Sequence, residues 1–174
     1  MITTKNLKRL LAEFARLDGE RVRHEQMAIS LQAEENKLMD TVNLEDKAEF
    51  EKVSQLRLRR DIVPRKIKSY EQAAADIKAK LAGDCSKTTM ALLDIIRAKR
   101  EALTVKIAKA LEPFFPTEGA AATAAQHIVN DTTNGEVLSN RESRLNNDNF
   151  ENRETLTKAN ELLEIAPVVE GVEI

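Results

Sequence analysis

Between residues 53 and 81, Val53, Leu56, Val63, Ile67, Tyr70, Ala74, Ile77 and Leu81 recur at alternating steps of three and four. Arg60 fills the one missing slot. Apolar residues at this period form a stripe along one side of an α-helix, the seam of a helix packed lengthwise against another. A chain carrying such a seam has little freedom beyond a helical bundle. Composition agrees: aromatics are 3%, tryptophan is absent, 32% of residues are charged and only five are glycine. The core must therefore be built from Leu, Ile, Val and Ala on long helices, not on sheets that need tight turns.

A second seam precedes it. Leu10, Phe14, Leu17, Ala28, Leu31, Leu38 and Val42 keep the same alternation, with Arg21, His24 and Glu35 in the remaining slots. Thr3 or Thr4 is the expected N-cap, and Gly19 weakens this helix by about 1 kcal/mol without ending it. The spacing predicts a helix over 4–40, a break at Asp40 to Leu44, and a second helix over 44–82. Asn43 is the expected cap of the second helix, with Asp46 supplying a carboxylate to its first turn. At 1.5 Å per residue the two helices are each roughly 55–58 Å long, and equal lengths joined by a short turn indicate an antiparallel hairpin. Pro64 removes one backbone hydrogen bond, so a bend near Arg60 to Val63 is expected. A fresh helix capped by Asp61 is the alternative.

Gly83-Asp84-Cys85-Ser86-Lys87-Thr88-Thr89 is the next candidate break. Six of its seven residues are poor helix formers, together costing roughly 3–4 kcal/mol against alanine. Gly83 suits a position just past a helix end and Ser86 an N-cap. Against a break, the seam resumes at Leu93, Ile96, Leu103, Ile107, Ala110 and Phe114, and steps of four through Cys85 and Thr89 would join the runs as a stutter. The break is the favoured reading, giving a third helix over 87–112 that folds back on the hairpin. Pro113-Phe114-Phe115-Pro116 then ends the helical body.

The expected fold is all-α: a long antiparallel hairpin with a third helix forming a bundle over 1–115, then an acidic, Asn-rich, partly disordered tail over 116–174. In the tail, 118–129 is alanine-rich and suits a short helix. Residues 130–152 contain seven asparagines and few apolar groups, the composition of a disordered linker. Residues 154–165 suit one more amphipathic helix, with Leu156, Ala159, Leu162 and Leu163 on one side. That helix either docks on a partner or packs back on its own bundle. Charge follows the same division: residues 1–115 carry 23 Lys+Arg against 18 Asp+Glu, and residues 116–174 carry 4 against 11.

Catalytic chemistry finds little support. Two histidines and one cysteine, Cys85, leave no nucleophile–base pattern and no multi-thiolate metal site. Glu20 and His24 share a helical face, but an ordinary seam histidine beside a helix-surface carboxylate accounts for them. The glycines make no phosphate-binding loop. No cofactor, metal or catalytic residue is expected. The lone cysteine, the early charges Lys5, Lys8 and Arg9, and the lack of a roughly 20-residue apolar run lead to the expectation of a soluble, cytoplasmic, non-membrane protein.

Binding is the remaining class. Arg57, Arg59, Arg60, Arg65, Lys66 and Lys68 crowd the middle of the second helix, and the fold does not need them. Arg57, Arg60, Arg65, Lys66 and Lys68 are therefore candidate partner-binding residues, together with Leu156, Leu162 and Leu163 of the last helix. The leading expectation is a non-enzymatic interaction or scaffold protein that contacts a protein partner. A bundle lined by Leu, Ile and Ala can be monomeric, but Arg21, His24, Arg60 and Arg100 on the seams indicate that parts of those seams are wet or paired between chains, and a homo-oligomer is the expectation. A nucleic-acid-associated factor using the basic face of 57–109 is the second reading. It is less favoured because no recognition motif or interleaved aromatic accompanies the charge, and because Glu13, Asp18, Glu20, Glu34 and Glu35 of the first helix can pair with these bases across the hairpin, leaving a solvated or paired face. A viral assembly or host-inhibitor role is a third, resting on no particular residue.

Overall fold

A computed structural model describes residues 4–43 and 45–174. Among them there is no strand. The helices are α1 (Thr4–Met39), α2 (Lys47–Leu111), α3 (Glu118–Asp131), α4 (Thr133–Leu145), the single turn α5 (Asp148–Glu151) and α6 (Thr155–Glu170), with a 3-10 turn at Glu112–Phe114. Thr3, one of the two expected caps of α1, and Leu44, in the expected break, lie outside the described residues. The chain forms two compact units. One is Leu10–Lys80; the other is Leu81–Ile174 with the N-terminal residues up to Arg9.

The Leu10–Lys80 unit is the antiparallel hairpin. Leu31, Leu56 and Val63 form its buried cluster, and Ala28, Leu38 and Ile67 pack against them. Pairs such as Leu31 with Val63, where the residue number rises on one helix as it falls on the other, are the register of antiparallel arms. The turn differs from expectation in its cap. Asp46 Oδ1 accepts from the amides of Ala48 (2.8 Å) and Glu49 (3.4 Å), so Asp46 caps α2. Asn43 Oδ1 instead accepts from Glu45 N, and the Glu49 carboxylate reaches back to Asn43 N at 2.6 Å. A carboxylate beats an amide here because it also meets the positive end of the helix dipole. α2 passes through Pro64 unbroken; the ring sits on the exposed side of the helix, away from the seam.

The expected break at Gly83–Thr89 is absent: α2 is one helix of 65 residues. The separate third helix is instead its second half. Leu81, Cys85, Thr88, Leu92 and Ile96 are all buried, at steps of four, three, four and four, so the seam shifts by a stutter and continues. Burying Leu81, Leu92 and Ile96 is worth about 1.5–3 kcal/mol each, which exceeds the propensity cost of the intervening residues. Thr89 adds a local solution by donating its hydroxyl to Cys85 O at 2.9 Å.

In the other unit, residues 116–174 are not a free tail. Ala121, Ala125, Val129, Leu138, Leu145, Phe150, Ala159, Leu162, Ile165, Ala166 and Val169 are all buried. The region expected to be disordered, 130–152, holds all of α4 and all of α5. Its apolar residues are few, but Leu138, Leu145 and Phe150 are each almost fully covered. Its asparagines do structural work. Asn147 caps α5 by accepting from Asn149 N (2.8 Å), Asn130 accepts from Arg100, and Asn134 donates to Glu173 O. Thr132 closes α3 and opens α4 at once: its hydroxyl donates to Val129 O (2.8 Å) and accepts from Gly135 N (3.1 Å). Lys99 of α2 holds the end of α6, its ammonium donating to the carbonyls of Val169, Glu170 and Val172 at 2.9, 2.9 and 2.6 Å.

Candidate functional site

The basic residues of α2 do not converge on one surface. Arg57 and Arg60 turn toward the seam, where Glu35 is 6% exposed. Arg57 Nε lies 3.1 Å from Glu35 Oε1 and Arg60 Nη1 lies 2.5 Å from Glu35 Oε2. A carboxylate buried that deeply needs compensation, and the two guanidinium groups supply it while their outer edges stay in water. Arg65 and Lys68 border a shallow depression with Ser69, Gln72, Ala73 and Asp76. Lys66 lies on another side, together with Arg59.

That side forms a groove along the hairpin. One part holds about 350 Å³ and is lined by His24, Met27 and Leu31 of α1 and Arg59, Ile62, Val63 and Lys66 of α2. A second part of about 240 Å³ shares Arg59 and is lined by Glu34, Leu38, Lys52, Gln55 and Leu56. Met27 is 44% and Ile62 42% exposed, so apolar surface there faces solvent. Among the described residues Lys52, Arg59 and Lys66 make no ion pair with Glu34 or any other carboxylate. Sequence reasoning missed Lys52, Met27 and Ile62 as surface features and counted Arg59 only as part of a cluster. The available signal was register: residues 52, 59 and 66 each directly precede a seam residue, Val53, Arg60 or Ile67, so they border the seam on one side.

The seam's other polar residues find partners inside the chain. Arg21 bonds Asp18 (2.8 Å) and Glu25 (2.5 Å) on its own helix, and these bonds push its guanidinium pKa further up. His24 is buried, with Nδ1 2.8 Å from Glu20 O and its ring 5.1 Å from that of Tyr70. Arg100 bonds Glu142 (2.6 Å) and Asn130 (3.0 Å), and Arg97 also approaches Glu142. No family model, curated protein or solved structure matches this chain.

The second group of candidates sits differently. Leu162 is completely buried, and Leu156 and Leu163 are half-buried, because α6 packs back on its own bundle. Its buried Glu161 is held by Arg144 and Arg153. Cys85 is buried, its Sγ 4.0 Å from Thr155 O. Burial pushes its thiol pKa up and neighbouring Asp84 adds to the effect, while Lys158 opposes them. A thiol raised in this way is a poor nucleophile. Among the described residues no three His, Cys, Asp or Glu side chains are grouped to hold a metal ion, and no helix is long and apolar enough to cross a membrane.

Proposed function

We propose that this chain is a non-enzymatic helical interaction protein that presents the groove of its hairpin to a protein partner. The observation that carries this reading is the groove itself: Met27 and Ile62, half in solvent, lie between buried seam residues and unpaired basic side chains. Apolar surface of this kind, rimmed by charge, is the usual anatomy of a docking site. Self-association receives less support than it did from the seam residues alone, since Arg21, Arg60 and Arg100 are all satisfied within one chain. A phosphate-binding face is weakened in the same way, because Glu35 engages Arg57 and Arg60.

The test is quantitative affinity purification with the intact chain and with Ile62→Glu, which places a carboxylate on the groove floor at an already exposed position. Proteins captured by the wild type and lost in the variant support the reading. An unchanged set of captured proteins overturns it. Sedimentation equilibrium on the same two proteins separates a partner from a second copy: a mass that falls toward 19.5 kDa only in the variant makes the partner the chain itself.

A further inference from the structure

We infer that the occupant of the hairpin groove is an amphipathic α-helix of another protein, with acidic side chains flanking its apolar stripe. This rests on the interaction reading above and adds the chemistry of the partner. Lys52, Arg59 and Lys66 line the groove at intervals of seven residues, about 10.5 Å apart and about 21 Å end to end. Among the described residues, Glu34 is the one carboxylate lining it. The groove therefore offers three cations and one anion around an apolar floor.

Spacing selects a helix. A helix presents the same face every seven residues, so carboxylates at i, i+7 and i+14 repeat at the interval of the three cations. A strand repeats its face every two residues, about 6.7 Å, and no small multiple of that meets 10.5 Å. Four turns of helix fill 21 Å, and Leu, Ile or Met at three-four spacing would pack on Met27, Ile62 and the edges of Leu31 and Val63. This is helix-in-groove recognition with charge setting partner and direction.

Charge also argues against two competing occupants. Two grooves laid face to face would set Lys52, Arg59 and Lys66 against their own copies, a like-charge arrangement that disfavours the dimer. The α1 surface of a second copy is not an acidic substitute, because Asp18 and Glu25 are already bonded to Arg21. A nucleic acid would use the three cations but would leave the Met27–Ile62 floor uncovered and face Glu34.

The test uses the full chain and a displayed library of 21-residue helices. Their stripe positions are Leu, Ile, Met or Ala, and their flanking positions are Glu, Gln or Lys. The expected result is enrichment of Glu at seven-residue spacing. The best peptide should bind in fluorescence anisotropy with an affinity that Arg59→Glu/Lys66→Glu lowers about tenfold or more, since two rim attractions become repulsions. Selection on that double variant should enrich Lys instead. Both substitutions are at solvent-facing positions, and circular dichroism checks that the variant folds. No flank preference on the wild type, or the same preference on both proteins, overturns the inference. So does a 21-base-pair duplex that displaces the peptide and loses its own binding in the double variant. If the library fails while the purification still shows partners lost in Ile62→Glu, the interaction reading stands and the helix assignment falls. If both fail, both fall.

Discussion

Replacing Gly135 with alanine tests the α3–α4 corner more sharply than any other single substitution. Gly135 is buried in the first turn of α4, and its backbone dihedrals are ordinary, so space and not conformation demands glycine there. A Cβ would lie 1.6 Å from Val129 O, 2.6 Å from Val129 C and 2.9 Å from Thr132 Oγ1. Carbon and oxygen do not approach closer than about 3.0 Å, so α4 would have to move off α3 by about 1.4 Å. Such a shift breaks the Thr132 cap, worth about 1 kcal/mol, and unpacks Val129 and Leu138, where overpacking costs about 1–3 kcal/mol. The expected loss is about 3 kcal/mol. Gly83→Ala is the control: it lies inside α2 with nothing within 4 Å of its Cβ, so it should gain about 0.5–1 kcal/mol. Urea unfolding followed at 222 nm measures both. Hydrogen exchange should place the damage of Gly135→Ala in residues 118–145 and leave residues 20–70 protected. A Gly135→Ala protein within 1 kcal/mol of wild type would refute the geometry of the corner.

Three further outcomes follow from contacts already described. Glu35→Gln should destabilise the hairpin by about 1–2 kcal/mol, less than a fully buried pair would lose because Arg57 and Arg60 can hydrate; Glu35→Leu/Arg60→Leu should recover wild-type stability, and a thermal-melt double-mutant cycle with no coupling would contradict this. The Cys85 thiol has its pKa raised above its ordinary value near 9.0, so the neutral form is favoured on folding. Its contribution is present in full well below pH 9 and is lost as pH rises through the folded-state value; the stability difference between wild type and Cys85→Ala should therefore shrink as pH rises above about 9, and a constant difference would count against it. Lys99→Met removes a charged donor from three carbonyls and should cost about 2 kcal/mol, with faster hydrogen exchange at residues 166–174.

The two hairpin seams could be read directly because apolar period is a property of adjacent residues. Leu10 to Leu38 and Val53 to Leu81 lie where their spacing placed them. Gly83–Thr89 could not be read that way: propensity summed over seven residues pointed to a break, and the burial of Cys85 and Thr88 that overrides it is tertiary. The Asn-rich stretch failed for a related reason. Composition registers seven asparagines as polar chain, whereas their positions make Asn147 a cap and Asn130 and Asn134 bridges to distant residues. For the groove, charge density drew attention to Arg57 and Arg60, whose partner Glu35 is 22 and 25 residues away. Position relative to the seam, which marks Lys52, Arg59 and Lys66, would have been the better guide.

The grip of Lys99 on the end of α6 has a consequence for the order in which the protein is made. Its three carbonyl partners lie 70 to 73 residues further along the chain. Every residue of the hairpin unit has left the ribosome once Lys80 has cleared the exit, so that unit can fold during synthesis. The other unit must wait until Val172 has been made. Until then Leu92 and Ile96, which the finished fold covers completely, lack the part of the chain that follows them. A nascent chain whose emerged part ends between residues 110 and 165 is therefore expected to be a chaperone substrate, and the released full chain is not.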